Sequence, residues 1–264
     1  MNEDIYSGDL TAQLLPKDLV VTAQIITRED AVLCGTQWFD GCFHPQDPDC
    51  EIHWLAKDGD AIKAGQLLCE MRGKARALLT AERSALNLLQ TLSGTATKTR
   101  QYVDAVAGLP VKIMDTRKTL PGLRHAQKYA VRVGGGYNQR FGLYDGILIK
   151  ENHIAAAGGI EAVLAQAFRL AKPDVSVQIE VENLVQLEEA LGAGAKLILL
   201  DNFDLAGLRA AVQLTAKRAK LEASGGITLA TLREVALTGV DRISIGTLTK
   251  DLHAVDLSMR ILSY

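Results

Sequence analysis

The sequence predicts an α/β protein in which a mixed α/β N-terminal domain precedes an incomplete (β/α) barrel of parallel strands. Three observations predict this fold. From about residue 110, short apolar runs alternate with helical patterns, which indicates parallel strands covered by helices on both faces. Six runs are clear and a seventh is weaker, fewer than the eight strands of a complete barrel. The runs end in charged residues or glycine, and barrel enzymes place their chemistry at these strand ends.

The strands and helices of the barrel can be placed one by one. The strand runs are VKIMDTRK, GILIKENH, VQIEVEN, KLILLDN, KLEASGG and RISIGTL. Helical patterns are predicted at 161–171, 184–192, 205–216 and 229–238, at a spacing that suits a βα repeat. An open, doubly wound sheet would show the same alternation, and the charged strand ends favour the barrel.

The part of the chain before residue 110 has a different pattern. Strand-like runs, AVLCGTQWF and CEIHWLA, precede two predicted helices at 80–93 and 95–107, with Thr80 as the N-cap of the first. The segment LAKDGDAIKAGQLLCEMRG has the rhythm of lipoyl and biotinyl carrier domains but no local motif around a modified lysine, so it predicts only a strand, a turn and a strand. We therefore predict domains over 1–109 and 110–254, with the amphipathic residues 255–264 rejoining the first domain.

The composition excludes several classes of protein. Of the 264 residues, 48% are hydrophobic and 23% are charged, as in a globular protein with a sizeable core. A net charge of −2 argues against binding to nucleic acid. With no apolar run of membrane-spanning length and a polar, acidic start, we expect a cytoplasmic protein without a membrane partner. The four cysteines form no Cys-x-x-Cys pair, so we expect reduced thiols and no zinc site.

One segment contrasts with this weak net charge. The 27 letters MDTRKTLPGLRHAQKYAVRVGGGYNQR contain six cations and one acid, next to three glycines. Arginine binds carboxylates bidentately and lysine acts as a point charge. The cations predicted to flank the barrel mouth are Arg117, Lys118 and Arg140, joined by Lys150 at the end of the next strand. The cations predicted to lie on the solvated face of a helix are Arg124, Lys128 and Arg132.

Glycines and acids at the other strand ends predict a second anion site. ASGGIT (223–228) and SIGTL (244–248) close the last two strands, where barrels commonly bind phosphate through backbone N–H groups. Glu180 and Asp201 end neighbouring strands, and two carboxylates suit Mg²⁺ together with substrate phosphates, or ribose hydroxyls. The alternatives are plain tight turns for the glycines and an ion pair with Lys150 for the acids.

These segments resemble a known family. The motifs are DTRKTLPGLR, KYAVRVGGGYNQRFGLYDGILIKENH, EVEN, LILLDNF, EASGGIT and TGVDRISIGTLTK, and the likeness runs from about Gly8 to the C-terminus. They resemble quinolinate phosphoribosyltransferase, also called carboxylating nicotinate-nucleotide pyrophosphorylase. The resemblance implies that quinolinate and phosphoribosyl pyrophosphate are converted, with Mg²⁺, into nicotinate mononucleotide, pyrophosphate and CO₂ in NAD biosynthesis. It also implies an incomplete barrel, and a homodimer or larger assembly with a shared active site.

The resemblance also assigns roles to residues. Lys118, Lys150, Glu180 and Asp201 are implied to be catalytic, and the two acids would hold Mg²⁺, directly or through substrate or water. Arg83 of the TAER motif would reach in from a second subunit. The substrate-binding residues implied are Arg83, Thr116, Arg117, Lys118, Arg140, Lys150, Glu180, Asp201, Ser224, Gly225, Gly226, Ser244, Ile245 and Gly246.

One position departs from the family pattern. The chain has Gln139 between Asn138 and Arg140, where the family usually has histidine. Glutamine donates hydrogen bonds but carries no charge, so we expect binding to persist without a proton-transfer role at this position. Three alternatives stay open from the residues: a lyase or aldolase with Lys150 as a Schiff-base nucleophile, a phosphoribosyltransferase that does not decarboxylate, and a phosphometabolite-binding protein that is not an enzyme.

Overall fold

A computed structural model describes residues 1–263 of the chain. The elements up to the long central helix are α1 (Asn2–Ile5), β1 (Val20–Thr27), β2 (Ala31–Val32), α2 (Thr36–Phe43), β3 (Glu51–Trp54), β4 (Ala61–Ile62), β5 (Leu67–Lys74) and α3 (Ala75–Ala105), with a 3₁₀ turn at Ala12–Leu14. The elements that follow are β6 (Lys112–Met114), α4 (Arg124–Val133), β7 (Gly146–Ile149), α5 (Glu151–Ala157), α6 (Ile160–Leu170), β8 (Ser176–Val181), α7 (Leu184–Gly192), β9 (Leu197–Asp201), α8 (Leu205–Thr215), β10 (Lys220–Ser224), α9 (Leu229–Ala236), β11 (Arg242–Ser244), α10 (Thr247–Lys250) and β12 (Leu257–Ser263).

The chain divides into two compact units. The first contains Met1–Arg100, Tyr129–Gly135 and the C-terminal segment from Asp251, and the second contains Gln101–Lys128 and Gly136–Lys250. The domains predicted from the sequence were 1–109 and 110–254, with residues 255–264 rejoining the first domain. The C-terminal half of α4 is counted with the first unit, and sequence patterning gives no sign of this.

The first unit is built on a four-stranded antiparallel sheet in the order β12-β1-β5-β3. Alternate residues of β1 are buried, which is the pattern of a strand with one face on the core. On α3, buried Leu78, Ala85 and Leu89 recur at helical spacing and join the same hydrophobic cluster as the sheet. β12 pairs with β1, so the C-terminal residues lie in this unit. All four cysteines are free and buried, and burial raises the pKa of the Cys50 thiol to about 11.

Two predictions for this unit were wrong. The two helices predicted between 80 and 107 are one helix, α3, and Thr80 lies inside it, where its hydroxyl donates to Asp9 Oδ2 at 2.8 Å instead of capping. The run AVLCGTQWF is not one strand: it begins with the two-residue strand β2 and ends in the first half of α2. Gly35, at φ 108°, turns the chain, and the Asp58 carboxylate accepts the N–H groups of Gly35 and Thr36 and so caps the helix start.

The second unit contains a six-stranded parallel sheet in the order β6-β11-β10-β9-β8-β7, surrounded by helices. The six predicted strands are confirmed, and the sheet is an incomplete barrel that is not closed between β6 and β7. One parallel bridge, Met114 with Tyr137, extends the β6 edge by a single residue. Too few strands are present to close a complete barrel, as the strand count predicted.

Polar residues start the helices directly after the strands. Asn183 accepts the N–H of Gln186 at the start of α7, and Asp204 accepts that of Gly207 at the start of α8. These short strand-to-helix turns keep each strand end at one edge of the sheet. The four predicted helices correspond to α6, α7, α8 and α9, whereas the short helices α5 and α10 were not predicted.

No helix within residues 1–263 is long and apolar enough to cross a membrane.

Candidate active site

Two adjoining cavities open at the carboxyl ends of the parallel strands, with volumes of about 320 and 560 Å³. We call the first the cationic cavity, because Arg117, Lys118, Arg140 and Lys150 line it. We call the second the glycine cavity, because Gly225, Gly226 and Gly246 line it. The residues common to both are Thr116, Lys118, Lys150, Glu180, Ser224 and Ser244. Two ligand groups bound in the two cavities would therefore lie side by side.

The cations of the first cavity are held in place by the strand ends and the loop before β7. Arg140 is half-buried, and its Nη1 donates to the carbonyl oxygen of Gly146 at 2.9 Å. Burial and the neighbouring Arg117 lower the pKa of the Arg140 guanidinium. The Nε of Arg117 is buried and has no hydrogen-bond partner within residues 1–263. A cluster of cations that repel one another, with an unused donor, is suited to a ligand with more than one negative charge.

The two predicted acids line the cavities, Glu180 both of them and Asp201 the glycine cavity. Lys150 Nζ and Glu180 Oε2 are 2.9 Å apart, so the ion pair considered as an alternative is present. Glu180 nevertheless lines both cavities. Asp201 lines the glycine cavity and accepts a hydrogen bond from the side-chain amide of Asn202 at 2.8 Å. Both carboxylates thus face space that a ligand can occupy.

The glycine cavity depends on close approach of the backbone. Gly225 and Gly226 adopt φ values of 105° and 59°, in the region that side chains rarely enter. A Cβ on Gly225 would collide with the side chain of Asn202, so only glycine fits. Thr247 Oγ1, on the wall of this cavity, is buried without a hydrogen-bond partner in the part of the chain that the structure describes. Exposed backbone N–H groups and free hydroxyls are the donors that phosphate takes.

A buried ion pair behind the cationic cavity was not predicted. Lys128 was expected on a solvated helix face, and this is wrong: it is fully buried and its Nζ lies 2.6 Å from Asp115 Oδ1. Burial raises the pKa of Asp115 and lowers that of Lys128 against their mutual attraction. The prediction that Arg124 lies on the solvated face is also wrong, because its guanidinium is half-buried and donates to the carbonyl oxygens of Arg117 and Phe141. Arg132 is exposed, as predicted.

This ion pair fixes the segment that carries Arg140. Asp115 also accepts the side-chain amide of Asn138 and the backbone N–H of Gln139, both at 2.7 Å. Lys128 Nζ donates to the carbonyl oxygen of Gln139 at 2.9 Å. The backbone just before Arg140 is thus held from both sides by buried charges.

A further polar group lies deeper in the barrel. The side-chain amides of Gln139 and Gln178 donate to the carboxylate of Glu222, at 2.5 and 3.1 Å. Burial raises the pKa of Glu222, and the amide hydrogen bonds oppose that shift. Sequence reasoning missed Glu222 and Gln178, although each lies two residues before a predicted site residue on the same strand. The period-2 alternation of strands was the signal that could have found them.

The structure places the predicted site residues in two locations. All of them except Arg83 line one or both cavities. Arg83 is exposed on α3, in the first unit. The predicted roles of these residues stay predictions, since position does not test a role.

The fold and the cavities define an α/β-barrel protein that can hold a carboxylate-bearing ligand beside a phosphate-bearing one. The family model "Quinolinate phosphoribosyl transferase, N-terminal domain" matches residues 9–93, and that for the C-terminal domain matches residues 95–260. The chain belongs to the quinolinate phosphoribosyltransferase family, and the resemblance seen in its motifs is confirmed.

The chain is similar in sequence to named relatives over nearly its whole length. The chain is 44% identical to a probable carboxylating nicotinate-nucleotide pyrophosphorylase of Bacillus subtilis, over 98% of this chain and 90% of that protein. It is 42% identical to a carboxylating nicotinate-nucleotide pyrophosphorylase of Mycobacterium leprae, over 98% and 93%. A solved nicotinate-nucleotide pyrophosphorylase of Francisella tularensis, 44% identical, superposes with a TM-score of 0.96 and covers 99% of this chain and 92% of that one.

Proposed function

We propose that the chain is a quinolinate phosphoribosyltransferase, which forms nicotinate mononucleotide, pyrophosphate and CO₂ from quinolinate and phosphoribosyl pyrophosphate in NAD biosynthesis. The observation that carries the proposal is the pair of adjoining cavities, one with four cations and one lined by glycine loops. The carboxylate of Glu180 is on their shared wall and that of Asp201 is in the glycine cavity. A dicarboxylate fits the first cavity and a sugar phosphate fits the second. The names of the relatives agree with this assignment.

Substrate binding is electrostatic in this mechanism. Arg117, Arg140 and the two lysines would hold the carboxylates of quinolinate, with Arg117 Nε supplying a donor that the fold leaves unused. The phosphates would take the backbone N–H groups of Gly225, Gly226 and Gly246, since the N–H of Ile245 already donates to the carbonyl oxygen of Met114. Because the two cavities share a wall, the ring nitrogen of one substrate is brought next to the anomeric carbon of the other.

The carboxylates would act on the transition state of glycosyl transfer. As the ring nitrogen bonds to the anomeric carbon, the bond to pyrophosphate breaks and positive charge develops on the ribose. Glu180 and Asp201 lie where they can stabilise that charge or bind ribose hydroxyls. The ion pair with Lys150 holds the Glu180 side chain in place on the wall of both cavities.

We include Mg²⁺ in the proposal, held by Glu180 and Asp201 directly or through substrate oxygens and water. Within residues 1–263 no three His, Cys, Asp or Glu side chains form a metal site, so the protein supplies two carboxylates at most. This donor set fits Mg²⁺, which commonly binds one or two carboxylates and completes its shell with phosphates and water. When bound, the ion would neutralise charge on the departing pyrophosphate.

Decarboxylation would follow glycosyl transfer. The bond from the ring carbon to the carboxylate beside the nitrogen breaks, CO₂ leaves, and the electron pair stays on the ring carbon, where the cationic nitrogen stabilises it. A proton then replaces the carboxylate. Lys118 and Lys150 are the candidate donors, since both line both cavities.

We further propose a cytoplasmic homodimer, or a larger assembly, in which Arg83 of one subunit completes the site of another. Arg83 is an exposed cation on α3 without a hydrogen bond or ion pair within the described residues, so it is free to bind an anion outside its own unit.

The direct test is to incubate the purified protein with quinolinate, phosphoribosyl pyrophosphate and Mg²⁺ and to measure CO₂ and nicotinate mononucleotide. Both products should appear in equal amounts and depend on all three additions. In a parallel incubation with nicotinate in place of quinolinate, consumption of nicotinate would favour the phosphoribosyltransferase that does not decarboxylate. Borohydride trapping of a carbonyl substrate on Lys150 would favour the lyase. Absence of turnover with binding of phosphates alone would favour a binding protein.

A further inference from the structure

The floor of the cationic cavity carries a carboxyl group that the proposed mechanism does not use. Glu222 lies on β10 two residues before Ser224, so its side chain faces the barrel interior one layer below the mouth. It lines the cavity, yet only 1% of the residue is exposed. Leu148 and Leu199 line the same cavity. A cavity suited to a dianion therefore has an acid at its base.

Arg242 attracts the Glu222 carboxylate electrostatically, but no cation is in direct contact with it within residues 1–263. Although four cations line the same cavity, Glu222 forms no ion pair within residues 1–263. Its oxygens instead accept hydrogen bonds from the amides of Gln139 and Gln178. A buried carboxylate without an opposite charge is costly, and in an anion site it also weakens ligand binding. Its presence is explained if the charge discriminates between ligands.

The amide partners hold Glu222 in a set position. Gln178 lies on β8 and is buried in the barrel interior. The backbone of Gln139 is fixed by Asp115 and Lys128. Neutral donors of this kind orient a carboxylate without cancelling its charge. Burial disfavours the charged form of Glu222, and these hydrogen bonds favour it, so the fold both positions the carboxylate and supports its negative charge.

We propose that Glu222 is a specificity-determining residue, which repels any ligand that presents a carboxylate to the floor of the cationic cavity. The inference rests on the proposed function. Quinolinate has its carboxylates on neighbouring ring carbons, so both can face the cations while an edge with only C–H groups faces Glu222. An isomer with carboxylates on opposite sides of the ring would bring one of them against Glu222. Specificity of this kind arises from repulsion of the wrong ligand.

The test compares quinolinate with pyridine-2,5-dicarboxylate and pyridine-2,6-dicarboxylate. The variant Glu222→Gln keeps the shape of the side chain and removes its charge. For each protein we take the ratio of the inhibition constant of each isomer to the KM for quinolinate. We expect this ratio to fall by roughly tenfold or more, because a like-charge contact in a dry site is strongly unfavourable. Glu188→Gln, which neutralises an exposed acid on α7, should leave the ratio unchanged.

Each result decides the proposal. An unchanged ratio, or an equal weakening of all three ligands as a merely structural role would give, overturns it. If Glu222→Gln does not fold, Gln178→Met replaces it: loss of one amide donor makes the charged carboxylate less favourable, so the ratio should fall, and an unchanged ratio again overturns the proposal. Failure of the unsubstituted protein to turn over quinolinate would instead contradict the proposed function.

Discussion

At the scale of single residues, Arg140 depends on contacts that its own sequence position does not reveal. Its guanidinium is half-buried at the cationic cavity and anchored to the carbonyl oxygen of Gly146. The backbone before it is fixed by Asp115 and Lys128. The positions of the cations that would bind substrate are therefore set by a second layer of charges.

Arg140→Ala should lower kcat/KM by an amount equivalent to about 2–5 kcal/mol, because one substrate carboxylate would be left unpaired in a desolvated site. Steady-state kinetics with quinolinate measures the loss. Arg132→Ala removes an exposed cation from α4 and serves as the matched control, with kinetics close to those of the unsubstituted protein. Near-normal efficiency of Arg140→Ala would exclude Arg140 from quinolinate binding.

Lys128→Met should destabilise the protein by about 3–5 kcal/mol, because Asp115 would be left as an unpaired buried charge. Adding Asp115→Leu should recover much of this stability, since a buried ion pair can often be replaced by apolar residues. Activity should not recover, because Asp115 also holds Asn138 and Gln139. Urea unfolding of the double variant measures the recovered stability, and steady-state kinetics measures the activity. Recovered activity would show that the pair serves stability alone.

At the scale of secondary-structure elements, the proposed phosphate site depends on the turn after β10. Asn202, at φ 57°, and Gly225, at φ 105°, come into contact where two neighbouring strands end. The N–H of Asn202 donates to the carbonyl oxygen of Ser224, which ties the two strand ends together. The turn conformation, and not any one side chain, creates the room for an anion.

Gly225→Ala should disrupt this turn, because a Cβ there collides with the Asn202 side chain and the backbone lies in the left-handed region. We expect the KM for phosphoribosyl pyrophosphate to rise by about tenfold or more, an effect of over 1 kcal/mol, with direct binding of quinolinate preserved. Gly192→Ala, at the end of α7 with open space around it, is the control and should not reduce activity. Equal loss of binding for both substrates would point to general misfolding.

At the scale of the whole molecule, the proposed site needs residues from two subunits. The two cavities lie in the second unit, whereas Arg83 is on α3 in the first. If the site is shared, Arg83→Ala and Lys150→Ala should each inactivate the protein, since each removes a cation from every site.

Mixing Arg83→Ala with Lys150→Ala under conditions that exchange subunits should restore roughly a quarter of the activity, because half of randomly assorted dimers are mixed and each has one intact site. Activity before and after exchange measures the recovery. Mixing Lys118→Ala with Lys150→Ala is the control and should restore nothing, since both changes lie in the same cavity wall. Absence of recovery in the first mixture would contradict a shared site.

Much of the second unit could be predicted because its signals are local. An apolar run of five or so residues followed by Asn183 or Asp204 indicates a strand, a turn and a capped helix without reference to the rest of the chain. The first unit was harder. The residues around Thr80 do not show that α3 continues without a break to Ala105. Gly94 lies inside this helix for a tertiary reason that the local sequence does not reveal: a Cβ there would collide with the carbonyl oxygen of His253.

The sequence by itself determined the parallel strands, the charged and glycine-rich strand ends and the family, since these follow from local patterns and from motifs that can be compared directly. Only the tertiary structure decided that Lys128 is buried against Asp115, that Glu180 is paired with Lys150, and that Glu222 lies at the floor of the cationic cavity. The physical reason is that burial and charge pairing depend on distances between segments far apart in the chain, and a periodic pattern carries no information about those distances.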